Sequence, residues 1–494
     1  MQNYCTSLFS TPKSEWERVV VFDVAKQKAY TNGELQTNIL KTAFFLKEQG
    51  IEAGSVLCLH LHNSIEALVV HFAAQFLGAT SCLLDPLIRP TQLPYYLKKT
   101  ESLVLFTHLS ANDLTEFPME TSFLFPHQLE EVWEGLSSCT EEEMHDWSST
   151  VTSYIYFTSG TTSLPKGVPL NYSNHENFFK IADQYWQPVD ETSTHLCFVP
   201  FSHGFGSIFL IPLAFRTKSR LVIMRSFHPG VALEAIEKYS VTHIYGVPPH
   251  YQQLLKMPGA DRVLPKLKMA FCAAAKLEKE VVDLWNKLSG IRLEEGYGLI
   301  ETTGGIVWRV GDKARCTGHM GELPHRNLIE VGIINEEGAQ LAPEERGEIA
   351  VRGKSVMKGY LDMPEENSRA FVNGWFRTGD EGYISQDRHL FMTGRIKDII
   401  NIAGIKISPF EVESVLIEHP NVEQAIVVAS TDPIYGEIVK AYVKRHDESL
   451  TERDLVKFAS NHLISYQVPK KIDFVSEYPL NNMNKIDRKK LRLI

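Results

Sequence analysis

The chain has 494 residues, 44% hydrophobic and 22% charged, which is the balance of an ordinary globular protein and too long for one core, so at least two domains are expected. A formal charge of −10 argues against a general nucleic-acid surface. The seven scattered cysteines show no metal or redox spacing, and residues 1–20 hold Lys13, Glu15, Glu17 and Arg18 with no long apolar core, so reduced thiols, no signal peptide and a cytoplasmic location are expected.

Thr31-Asn32-Gly33-Glu34 has capping-box spacing and opens an amphipathic helix with Leu35, Ile39, Leu40, Ala43 and Leu46 inward. Ser55 to Leu61 is apolar on both faces, as a covered parallel strand is. Ala67 to Leu84 is the most apolar stretch. His71, Gln75, Gly78 and Thr80 interrupt it, so it reads as a buried helix running into a strand and not as a transmembrane segment. Further strands are expected at Leu103–Thr107, His195–Val199, Arg220–Met224, His243–Val247 and Lys268–Cys272, with helices near 174–186, 230–239 and 278–288. This alternation predicts an α/β fold with a largely parallel sheet. Residues 110–150 are acidic and carry no assignable pattern.

After about residue 320 the pattern changes to short strands with glycine turns (Glu348–Arg352, Gly382–Ile384, Leu390–Met392), which suggests a β-rich subdomain. A small α+β domain is expected from about 398. It opens with a capping box at Ser408-Pro409-Phe410-Glu411 and continues with strands at Val422–Ser430 and Ile438–Lys444 and a helix over 451–464. The last thirty residues carry seven Lys or Arg against three acids.

The stretch richest in chemistry is Tyr154 to Gly167, where an apolar strand breaks into Thr158-Ser159-Gly160-Thr161-Thr162-Ser163-Leu164-Pro165-Lys166-Gly167. Glycine lets the backbone approach a ligand, consecutive N–H groups can cradle an anion, hydroxyls donate to phosphate, and Lys166 adds a mobile positive charge. The Walker pattern needs Ser or Thr after the lysine, and Gly167 stands there. A polar surface loop is the plain alternative.

This loop resembles the phosphate-binding motif of the adenylate-forming superfamily, which includes acyl-CoA synthetases, nonribosomal-peptide adenylation domains and luciferases. Later segments match in the same order. Pro200 to Gly206 resembles the aromatic segment beside the acyl pocket, which implies that Phe201 and His203 border the carboxylate substrate; no Asp is present to pair with an α-ammonium group. Taken alone, His203 reads as a structural loop histidine. Phe271 to Lys276 stands where relatives have a glycine-rich strand end lining the adenine and acyl pockets, and it places Ala274 there.

Glu295 to Thr302 resembles the segment in which a tyrosine packs on adenine (Tyr297, followed by Gly298) and a glutamate binds Mg²⁺ (Glu301). Ile300 replaces a usual threonine, whose hydroxyl Thr302 or Thr303 could substitute. Trp375 to Asp380 resembles a specific family motif whose Asp takes both ribose hydroxyls. Arg395 then matches a ribose- and phosphate-contacting arginine, Lys397 the interdomain hinge, and Gly404 the loop used in the thiol step. Pro479 to Lys489 resembles the terminal motif with the adenylation lysine, Lys485; Ser163 and Asn484 stand where glycines are usual.

The resemblance implies a large N-terminal domain (1–396) with mainly parallel sheets and a β-rich subdomain, and a mobile C-terminal domain (397–494). It implies a two-step ligase using ATP and Mg²⁺, in which a small carboxylic acid becomes an acyl-adenylate and a thiol then displaces AMP. CoA is the expected thiol, and the phosphopantetheine of an acyl carrier protein is the alternative. A non-catalytic nucleotide- or acyl-binding homologue is the rival of another class.

Overall fold

The computed structural model describes residues 8–493 except 115–116, 118–120, 136–151, 159–164, 186–188, 275–276, 278, 310–317, 403–404, 433–435 and 481–485. The described chain groups into two compact units. One comprises Met1–Gly311, Pro324–Glu330 and Arg352–Ala370; the other comprises Asp312–Leu323, Val331–Val351 and Phe371–Ile494, so residues 397–494 lie wholly within the second.

In the first unit the apolar runs form two mainly parallel sheets. One runs Ser122–Leu124, Val104–Thr107, Val56–His60, Thr80–Leu84 and Thr152–Thr158, all parallel, and ends in antiparallel Lys166–Asn171. The other is parallel through Leu293–Leu299, Met269–Ala273, His243–Gly246, Thr194–Cys197, Arg220–Ile223 and Val19–Asp23, with antiparallel edges Gly304–Arg309 and Lys28–Thr31. The expected 31–34 capping box is present. Thr31 Oγ1 accepts from the Glu34 N–H at 3.2 Å, the Glu34 carboxylate accepts from the Thr31 N–H at 2.8 Å, and helix Asn32–Glu48 follows. Helix Ile65–Leu77 is buried almost all round, and Gly78 ends it at φ +81°, where a side chain would strain. Cys58, Cys82, Cys197 and Cys272 are free and buried, and among the described residues no helix is long and apolar enough to cross a membrane. Part of the unassigned 110–150 stretch forms strand Ser122–Leu124 and helix Pro126–Gly135.

A sheet mostly of the second unit is ordered His319–Glu322, His389–Arg395, Trp375–Ile384, Gly347–Gly353, Ile329–Ile334, and its first four strands pair antiparallel. The second unit's other sheet is built on Val422–Asp432 and Gly436–Arg445, with helices Pro409–Ile417 and Glu452–His462 packed over Val412, Leu416, Val427, Val439 and Leu455. The capping box expected at Ser408 does not form. The Ser408 hydroxyl donates instead to the Thr393 carbonyl, and Glu411 pairs with Arg346. A tertiary acceptor and a tertiary cation have displaced the local pairing.

Several histidines of the first unit lie in apolar surroundings, and burial holds them neutral. His60, with His108 and His62 adding repulsion, is lowered to about 4; His71 and His175 are lowered to about 3; His195 is well below its ordinary value. The His175 ring stacks on Tyr154 at 4.3 Å, and neither nitrogen has a hydrogen-bond partner among the described residues. Each such group gains a proton on unfolding below about pH 6.5, so its stabilising contribution is full above that pH and declines as pH falls toward 4. The expected unfolding free energy is flat above pH 7 and falls below pH 6, by up to about 1.4 kcal/mol per pH unit for each neutral histidine, and the melting temperature falls with it. His175→Phe, which keeps the stacking, should make that drop shallower in a pH series of thermal melts; an unchanged acid limb would show that His175 does not contribute.

Candidate active site

The strand Thr152–Thr158 carries the first motif to the edge of its sheet, and the chain returns antiparallel with Thr158 opposite Lys166. Ser159, Gly160, Thr161 and Thr162 lie outside the described residues. The base of the loop is fixed on both sides. Tyr95 Oη donates to the Pro165 carbonyl at 2.7 Å, and the Leu361 N–H donates to the Gly167 carbonyl at 2.9 Å. That second bond brings Tyr360 beside Lys166, whose Nζ lies 4.8 Å from the Tyr360 ring centroid and also pairs with Glu366.

Tyr360 reaches the metal candidate as well. Its hydroxyl donates to Glu301 Oε1 at 3.0 Å, and burial, then the Glu301 charge, raise its pKa well above the ordinary phenol value. Lys166 and Glu301, far apart in sequence, therefore share one aromatic ring. Glu301 is 8% exposed, and its carbonyl accepts from the Met357 N–H at 2.8 Å. One such carboxylate suits Mg²⁺ that arrives with phosphates and water as its other ligands. Among the described residues there is no cluster of three or more His, Cys, Asp or Glu that could bind an ion unaided.

Glu301 sits in a short turn, Ile300–Thr302, between two antiparallel strands. Thr302 Oγ1 closes the turn by donating toward the Leu299 and Gly304 carbonyls, both at 2.9 Å, and Thr303 Oγ1 donates to the Ser355 carbonyl at 2.6 Å. Both hydroxyls are committed to the backbone, so neither replaces the one that Ile300 lacks. Tyr297 is buried at 8% exposure, and a Cβ at Gly298 would lie 1.9 Å from the Gly304 oxygen. Ala274, just past strand Met269–Ala273, is exposed and has φ +69°, a left-handed backbone that glycine adopts more easily.

Phe201 is buried, and its N–H donates to Asn63 Oδ1 at 2.8 Å, while Asn63 Nδ2 donates to the Val199 carbonyl at 2.9 Å. His203 Nδ1 accepts from the Phe205 N–H at 3.2 Å, which makes this histidine an organiser of its own loop. Beyond the loop lies a group of packed rings. Phe205 meets Tyr245 at 6.1 Å and Phe271 at 5.8 Å, Phe209 meets Phe178 at 5.9 Å, and Phe178 meets Trp308 at 5.9 Å.

In the second unit Asp380 and Arg395 are cross-strand partners, with Arg395 Nε 3.3 Å from Asp380 Oδ1. Asp380 is 3% exposed. Its turn is set by Glu348, which accepts from Arg377 Nε at 2.6 Å and from the Gly379 N–H at 2.9 Å, with Gly379 at φ +75°. Lys397 is exposed, yet desolvation by the atoms around it, then Arg395, lower its pKa. Gly404 and Lys485 lie outside the described residues. Among the described flanking residues, Leu480 and Ile486 form an antiparallel bridge, and the Asp487 N–H donates to the Pro479 carbonyl at 2.8 Å. Sequence reasoning missed Asn63, Glu348, Tyr360 and Glu366. Each acts through a partner remote in sequence, and only the Gly359-Tyr360 step beside a polar helix start hinted at one of them.

Known proteins match this arrangement along the whole chain. Residues 10–361 fit the model described as AMP-binding enzyme, and residues 411–485 fit the AMP-binding enzyme C-terminal domain. A 4-coumarate–CoA ligase 1 of Solanum tuberosum is 30% identical over 100% of this chain and 93% of its own. A long-chain-fatty-acid–CoA ligase of Bacillus subtilis is 29% identical over 94% and 90%. The crystal structure of ATP-bound MatB from Rhodopseudomonas palustris shares the fold with a TM-score of 0.90 at 24% identity, covering 99% of this chain and 98% of that one. The chain belongs to the AMP-binding enzyme family, the adenylate-forming superfamily that its motifs resemble.

Proposed function

We propose that the protein is an ATP-dependent, AMP-forming acid–CoA ligase acting on an aryl or similarly compact carboxylic acid. The observation that carries the reading is the convergence of Lys166 and Glu301 on Tyr360, which supports a phosphate-binding role for the lysine and a Mg²⁺-binding role for the glutamate. The names of the relatives, acting on 4-coumarate and on long-chain fatty acids, support an acid–CoA ligase. The packed rings from Phe178 to Trp308, next to Phe201 and His203, favour a planar acid over a long flexible chain.

Adenylation drives a carboxylate anion onto a polyanion, so the site must place positive charge where negative charge is redistributed. Lys166 neutralises the phosphates of ATP, and the backbone and hydroxyls of 158–162 hold them. Bound Mg²⁺, with Glu301 as its protein ligand, supplies charge neutralisation on those phosphates. Tyr297 and Gly298, with Ala274, flank the base; Asp380 accepts from the ribose hydroxyls and Arg395 assists. Lys485 serves the first half-reaction. Reorientation of residues 397–494 about Lys397 brings the Gly404 loop into use for the thiol. Phosphopantetheine on a carrier protein is the competing thiol, and thioester assays with CoA and with a carrier protein separate the two.

Pyrophosphate release across a panel of aryl, medium-chain and long-chain acids tests the substrate class. Aryl acids should lead, and a preference for long chains would overturn that choice.

Asp380→Ala should weaken ATP and AMP binding by about 1.5–3 kcal/mol, the usual loss for a charge-assisted hydrogen-bonding group, with little change in melting temperature. Unchanged ATP affinity by calorimetry in the folded variant would remove Asp380 from the ribose site.

Lys485→Ala should slow adenylate formation by about 100-fold or more, while thioester formation from supplied acyl-adenylate survives. Gly404→Leu should do the reverse, obstructing the thiol and sparing pyrophosphate exchange. Equal loss of the same half-reaction in both variants would rule out alternation of the C-terminal segment.

A further inference from the structure

The segment Gly359–Ala370 does more than pass by the nucleotide motifs. Asn367 Oδ1 accepts from the Tyr360 N–H at 2.6 Å, and Asn367 Nδ2 donates to the Tyr360 carbonyl at 2.9 Å. This clamps Tyr360 to the helix Pro364–Ala370, which carries Glu366. Gly359 permits the clamp, since a Cβ there would come within 3.0 Å of the Asn367 amide at φ +153°. The same short segment therefore offers a carboxylate to Lys166 and a phenol to Glu301 at once.

Each contact occupies the group that a magnesium nucleotide needs. The Lys166 ammonium is already neutralised by Glu366, and the Glu366 pKa is lowered in turn, chiefly by its hydrogen bond from Lys166. Glu301 spends one lone pair on Tyr360, while the remainder of its carboxylate has little solvent to stabilise it. A phosphate oxygen approaching Lys166 meets a resident carboxylate of the same charge, which must leave or repel it.

We propose that Glu366 and Tyr360 form an internal latch that sets nucleotide affinity: Glu366 occupies Lys166 in place of phosphate, Tyr360 occupies Glu301 in place of the metal, and the magnesium nucleotide displaces both. The inference rests on the nucleotide-binding reading above. Glu366 and Tyr360 are positioning residues in this account, acting through Lys166 and Glu301. The side chains of Lys166 and Glu366 are 20% and 30% exposed, so the pair is partly screened and its loss is worth only a modest gain.

Glu366→Gln keeps the shape and removes the charge. Calorimetry with Mg·ATP on the full chain should show binding about two- to fivefold tighter than in the unsubstituted protein, with the gain shrinking as salt is raised. Tyr360→Phe keeps the ring under Lys166 and frees Glu301, so half-maximal ATP binding should need less Mg²⁺. A merely structural role for either residue predicts a lower melting temperature and no tighter binding. If Glu366→Gln melts like the unsubstituted protein and binds Mg·ATP equally or more weakly, the latch is overturned while the nucleotide site stands. If the unsubstituted protein binds no Mg·ATP at all, both readings fall.

Discussion

The strands Leu293–Leu299 and Gly304–Arg309 approach so closely at their tip that residue 298 has no room for any side chain. A Cβ there would lie 1.9 Å from the Gly304 carbonyl oxygen, well inside van der Waals contact. The register shifts by one residue between Tyr297 and Gly298, and the Thr302 hydroxyl fills the gap by bonding the Leu299 and Gly304 carbonyls. The tight tip directs Glu301 toward Tyr360, and Tyr360 in turn faces Lys166. Without the glycine the tip must open, and the carboxylate and the ammonium lose their common ring. The shared ring of Lys166 and Glu301 depends on this backbone approach, and beside it Phe271 and Trp308 leave a Cβ at Gly296 only 2.6 and 3.0 Å.

Much of this was legible in the sequence because the signals were local. Ser55–Leu61 announced a strand covered on both faces, and Thr31 and Glu34 announced a helix start. What stayed hidden was long-range. Strand Val19–Asp23 is defined by pairing with Arg220–Ile223, about two hundred residues away, and nothing in its neighbourhood fixes that partner. Ser408 carried the right spacing for a cap, but its hydroxyl turns to donate to the Thr393 carbonyl and accepts nothing from the helix start. Glu366 carries no local signal that names a partner, and only the fold puts it on Lys166. Propensity and spacing report what a segment can do alone, and tertiary contacts decide among those options.

The second unit builds its own turn by the same means. Asp380, the proposed ribose ligand, is 3% exposed and has the Arg395 side chain across the ladder. Glu348 stands behind the turn and binds both the Arg377 guanidinium and the Gly379 N–H, so the backbone leading to Asp380 cannot swivel. Gly379 has no neighbour that a side chain would strike, so its requirement is conformational, a φ of +75° that other residues reach only with strain.

The same economy of support extends to the basic terminal segment. A long side chain on a free tail loses most of its binding energy to the entropy of being held. Here the chain on both sides of 481–485 is fixed. Leu480 bridges to Ile486 on one flank, and on the other Arg488 donates to the Val427 carbonyl at 2.7 Å and pairs with buried Glu413 at 2.6 Å. Glu413 also accepts from the Val427 N–H, and Tyr442 Oη holds the Leu491 carbonyl at 2.8 Å, so the final helix is stitched to the sheet at two points. The chain entering and leaving residues 481–485 is therefore part of the folded unit, and those flanks need no further ordering.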